Sequence, residues 1–225
     1  CHTARCCSSD SSWSNRAEVE GTSASLSRLR TVPVRRPCDP AHMDWNELLL
    51  DQLTFHWEAQ ARPRLDGLTD DEYRWEPVVG MWNIRPRGEA RTSMAAGGGE
   101  FVADFEYPEP TPTPLTTIAW RLAHVNIGIF GMRNASHFGG PPVDYRTAVY
   151  PGTAAEALAT LDRVYAEWVA GVRSLGEDGL ARPVGEAEGD FAAFPYAALV
   201  LHIHREAIHH LSEIALLRDL YRAQH

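Results

Sequence analysis

Between Pro195 and the end of the chain, Ile203, Ala207, His210, Ile214, Leu217 and Tyr221 follow one another in steps of four and three. Steps of that size bring side chains to one side of an α-helix, and a helix with such a stripe must lay it against other helices. Three further stretches carry the same period. After Asp44, Leu49, Leu53, His56 and Gln60 share one face. In PTPLTTIAWRLAHVNIGIFGMRNASHF the stripe is Ile118, Leu122, Val125 and Ile129, with Thr113 as expected cap and Pro114 at the first helical position. The run TAAEALATLDRVYAEWVAGVRSL is the third long helix in chain order, closed by Gly176. Between Pro77 and Pro114 the period changes to short β-like pieces, MWNIRPR and EFVADFEY, separated by a Gly97-Gly98-Gly99 turn. Thr69 with Glu72 three residues on predicts a capping box and a short helix before this stretch. The expected fold is therefore all-α, a four-helix bundle with a small β-hairpin or irregular insertion between the first and second long helices.

Residues 1–42 are rich in Ser, Arg and Pro and lack a sustained apolar period, which predicts a disordered N-terminal tail. Met43 opens the first helix, so the tail is expected to lie outside the native domain, which spans 43–225. All four cysteines fall before Met43, so any metal site in the body has to use His, Asp or Glu. The 21 basic side chains, all arginine, face 30 acidic ones, a formal charge of −9. Such a balance argues against a nucleic-acid partner, whose binding depends on neutralising phosphates. With no apolar run of about 18 residues and no secretory signal, no membrane partner is expected and the predicted location is cytoplasmic.

The chemistry concentrates in HREAIHHLSEI, residues 204–214. Glu206 and His210 are four apart and lie on or beside the seam, where a plain core would have Leu or Ala. Left buried without partners, each would cost on the order of 1–3 kcal/mol, and a charge more. His124 interrupts the apolar run WRLAHVNIGIF, and His56 lies on the inward stripe of the first helix. A divalent metal held by His124, Glu206 and His210 would compensate these groups, and so would a mutually hydrogen-bonded polar trio without metal. Taken singly, a histidine on an apolar helix face is more often a satisfied core residue. His209 points about 100° away from His210, and His202 and His204 are expected to face solvent, with a place at the mouth of a pocket as the alternative for each. No phosphate-binding glycine loop or nucleophile elbow is present.

WRLAHVNIGI together with REAIHHLSEIALLRDLY resembles the DinB-like superfamily, and YRWEPV with MWNIRPRG is similar to its actinobacterial branch. The resemblance spans about residues 44–225. It implies a metal-binding four-helix bundle in which a histidine of the second long helix and two residues one turn apart on the last hold zinc or nickel. Glu206 and His210 match the Glu-x-x-x-His variant of the mycothiol-dependent maleylpyruvate isomerases, with His124 as the third ligand. It further implies a transferase or isomerase in which the metal activates a small-molecule thiol, mycothiol being the expected cosubstrate, for attack on an electrophile. His56 is then a candidate general acid or base, and Arg121 and Arg205 are candidates for holding a carboxylate. Bundles of this type often form homodimers. Two other classes fit the same residues: a metal-dependent hydrolase using a metal-bound water, and a non-catalytic bundle without metal.

Overall fold

A computed structural model describes residues 43–225; the expected tail, 1–42, lies outside the described residues. Asp44 caps the first helix, α1 (Trp45–His56), by accepting from the backbone N–H groups of Asn46 and Glu47. The helix then widens into a π-helical segment, Trp57–Ala61, before closing as α2 (Arg62–Arg64). A π-turn holds one residue more than an α-turn and so rotates the following side chains. The buried stripe is Leu50, Leu53, His56, Trp57, Ala61 and Leu65; Leu49, which lies before the π-segment, is only partly buried, and Gln60, within it, is exposed.

Thr69 caps α3 (Asp70–Tyr73) by accepting from the Glu72 N–H, as its spacing predicts. The Glu72 carboxylate does not complete the expected box. It is 3 % exposed and takes a two-point contact from Arg218, at 2.6 and 3.0 Å. The inserted stretch contains one short antiparallel pair, β1 (Ile84–Pro86) with β2 (Phe101–Ala103), in the register Ile84 opposite Ala103.

The second long helix begins as α4 (Ile118–His124), continues as a π-helical segment, Val125–Gly131, and ends as α5 (Met132–Phe138). Its cap is Thr117, not Thr113. The reason is the Trp82 backbone, whose N–H bonds the Leu115 carbonyl and whose carbonyl accepts from the Thr117 N–H. Residues 115–117 are thereby held extended and the helix can start only after them. Thr153 caps α6 (Ala154–Leu180), and at Gly176 the backbone leaves the helical region with φ 60°, at the break the sequence predicts. The last helix, α7, runs Tyr196–Gln224 after Pro195.

The four long elements form a bundle: α1 packs on α6 and α7, α4 packs on both as well, and α5 lies along α6. Leu53, Leu122, Leu161, Trp168, Val200 and Ile214 are fully enclosed between them. On α7 the enclosed face is broader than the expected seam, since Leu199, His204, Leu211 and Arg218 join Ile203, Ala207 and Ile214. His204, expected in solvent, is 5 % exposed, and His210 sits half-buried at the seam's edge. Among the described residues no helix is long and apolar enough to cross a membrane.

Candidate metal centre

His124 is the last residue of α4, and His210 comes from the middle of α7. Their packing brings the two imidazoles into a perpendicular arrangement with centroids 4.8 Å apart. Each ring has one nitrogen already engaged. His124 Nδ1 lies 2.7 Å from the Tyr145 hydroxyl, and His210 Nδ1 lies 2.8 Å from Glu213 Oε2. Arg121, one turn before His124 on α4, donates to the same Glu213 oxygen. With Nδ1 so occupied, Nε2 is the ring nitrogen left to coordinate on each histidine; the Glu213 carboxylate, which can only accept, fixes the His210 proton on Nδ1, as an outer carboxylate does for a metal-binding imidazole.

Electrostatics keep His124 neutral. Burial pushes its pKa down to about 4, with the neighbouring His210 and Arg121 acting in the same direction and Glu206 and Glu213 against it. A neutral imidazole is the form that binds a metal, so the environment suits the role. Burial also pushes the Tyr145 hydroxyl up to about 12, which holds the proton on the phenol beside His124. Tyr145 can approach this closely because residue 128, one turn after His124, is glycine; a Cβ there would fall on the Tyr145 hydroxyl.

Glu206 stands at the edge of this pair. Its Oε2 is 3.8 Å from His210 Nε2, while its Oε1 accepts two bonds from Arg205, at 2.9 and 3.1 Å. That guanidinium holds the Glu206 carboxyl below the usual carboxylate range. His210 therefore lies between two carboxylates, Glu213 on its Nδ1 side and Glu206 on its Nε2 side. The tightest group of ligand-type atoms is a different one: His209, His210 and Glu213, all within 4.8 Å of one another. His209 is 61 % exposed, however, and Glu213 is committed to Arg121 and His210. Hence the structure brings His124 and His210 together, places Glu206 beside His210 but bonded to Arg205, and adds Glu213.

His56 is not part of this cluster. It lines a separate hollow between α1 and α7 with Gln60, Arg64 and Ser212, and its Nδ1 pairs with Gln60 Oε1 at 2.9 Å. Arg121 and Arg205 are each taken up by a glutamate, Glu213 and Glu206, instead of standing free for a substrate carboxylate. His137 is enclosed by Glu188 and Tyr196. Glu213, three residues after His210, was readable as a same-face partner from spacing alone. Tyr145 was not, because it reaches His124 from a loop; only Gly128 marks its place.

His124 opens onto a pocket of about 400 Å³, walled by Phe105, Trp120, Tyr145 and Tyr150, with Trp120 stacked beside the His124 ring. The insertion supplies one wall. Gly98 donates to the Ala148 carbonyl at 2.8 Å, and a Cβ at Gly98 would meet the Thr147 backbone, so the glycine turn lets two chain segments close over the pocket.

No curated protein and no solved structure gives a significant match to the chain. The family model described as the DinB superfamily matches residues 99–214, from the second strand through most of α7 and including His124, Glu206, His210 and Glu213. With more than half its length matched and a mainly helical bundle around these residues, the chain belongs to the DinB superfamily.

Proposed function

We propose that the protein holds one divalent ion, zinc or nickel, on Nε2 of His124, Nε2 of His210 and the carboxylate of Glu206, and acts as a thiol-dependent transferase or isomerase. The observation that carries this reading is the pair of imidazoles from different helices, perpendicular and 4.8 Å apart, each with Nδ1 engaged and Nε2 free. A divalent ion bound there would lower the pKa of a thiol such as mycothiol and so supply a thiolate at neutral pH.

The chain's own residues prepare the place. Glu213 accepts the Nδ1 proton of His210, and Tyr145 fixes the ring of His124. Arg121 orients Glu213 and offsets its charge. Glu206 adds the negative charge that two neutral imidazoles lack, and Arg205 keeps it ionised. The aromatic pocket beside His124 would give an electrophile an apolar place to lie.

A second ligand set, His209, His210 and Glu213, is favoured by its closer spacing. It would have to displace both partners of Glu213, so the triad with His124 is preferred. Elemental analysis of untagged protein after metal supplementation should find about one divalent ion per chain, and mycothiol should then be consumed with a reactive electrophile. Protein that stays metal-free after supplementation sinks the proposal.

A further inference from the structure

The pocket beside His124 has a marked chemical asymmetry. Its polar groups are almost all engaged within the protein. The Asp104 carboxylate accepts from the Asn83 and Arg91 N–H groups and from Arg85 Nε. Trp120 Nε1 donates to the Asp104 carbonyl, and the Tyr150 hydroxyl to that of Tyr145. Of the polar side chains in the lining, Arg146 alone makes no hydrogen bond among the described residues, and it is exposed. Among the described residues Arg146 makes no ion pair; its backbone N–H is tied to Asp144 Oδ1 at 2.7 Å, and its charge is the least of the influences that hold the Asp144 carboxyl below the usual range. Met94 and Phe105, both more than two-fifths exposed, continue the apolar lining out to the mouth.

We propose that this pocket takes a flat aromatic substrate with a single anionic group, a carboxylate or sulfonate, the ring lying among Phe105, Trp120 and Tyr150 and the anion meeting Arg146. This names the substrate class of the proposed function and rests on it for the electrophile's approach to His124; the binding itself needs no metal. Its volume lies within the range of about 300–1,000 Å³ usual for small-molecule sites. An apolar cavity with one charged contact at its edge would bind by burial of the ring and select by charge. On a chain of net charge −9, an unpaired arginine at an apolar mouth gives an anion a local preference that the surface as a whole does not.

The test uses two fluorescent probes of similar shape on metal-free, full-length protein: anilinonaphthalene sulfonate, which is anionic, and phenylnaphthylamine, which is not. Arg146→Ala should weaken the anionic probe about tenfold, the scale of one partly exposed charge-assisted hydrogen bond, and leave the neutral probe within about twofold. Ala96→Phe, which fills the pocket from its wall, should abolish saturable binding of both. Arg146→Ala should still take up about one divalent ion per chain, so loss of the metal site and loss of this site are told apart. Equal binding of the anionic probe to wild type and Arg146→Ala, or saturable binding that survives Ala96→Phe, overturns the proposal.

Discussion

A methyl group at position 128 would fall on the Tyr145 hydroxyl, one turn beyond His124 on the same face. Gly128→Ala should therefore displace Tyr145 and release the His124 ring. Losing an outer partner of a ligating histidine typically lowers metal affinity by about 10–100-fold. Tyr145→Phe should reproduce that loss without moving the loop, and competition titration with a chelator measures both. Unchanged affinity in the two variants would mean that Tyr145 does not position the ring. The ligand sets separate at the same scale. Glu206→Gln should weaken the metal by at least the same factor, whereas His209→Ala, at a side chain that is 61 % exposed, should leave it nearly unchanged. The opposite ranking would move the centre to His209, His210 and Glu213.

At the scale of elements, α7 presents His210 to His124 of α4 and closes the bundle with Arg218. Arg218 is 1 % exposed, pairs with Glu72, and donates to the Arg64 and Asp66 carbonyls. Removing one partner strands the other charge in the interior, a loss of about 3–5 kcal/mol. Glu72→Gln should thus lower the melting temperature by roughly 10 °C for a domain of this size, while a double replacement by apolar residues should cost less; calorimetry decides. This contact also shows why the sequence reading was uneven. The helix stripes were legible because burial repeats every three or four residues, and Ile118, Leu122, Val125 and Ile129 are all enclosed. The π-helical segments at Trp57–Ala61 and Val125–Gly131 leave no such trace in the spacing. Nor could spacing show that Thr69 caps α3 while Glu72 turns away to Arg218, or that Trp82 delays α4 to Ile118. Of the candidate site, His124 and His210 could be read because each breaks an apolar face, and Glu206 by its turn from His210. Partners on loops could not.

For the whole molecule, acid sensitivity follows from burying a neutral imidazole in the core. Burial pushes the His204 pKa down to about 4, an effect the Leu49 carbonyl only partly offsets, and Trp168 packs edge-on against its ring. In the unfolded chain a histidine titrates near 6.5. Above that value both states are neutral and the group is silent. As pH falls from about 6.5 toward 4 the unfolded chain takes up a proton that the folded chain refuses, so stability declines, and below about 4 the loss levels off. A difference of that size corresponds to about 3 kcal/mol between neutral pH and pH 4. Carboxylates add their own acid dependence, so the informative quantity is a difference between two proteins. Urea unfolding at pH 7 and pH 4.5 should show wild type losing about 2–3 kcal/mol more than His204→Leu over that interval. His124 works in the same direction in the apo protein, but it is common to both chains and cancels in the comparison. Parallel losses in the two proteins would mean that His204 is protonated within the fold or reached by water, and the core would then have to open near α7 to admit it.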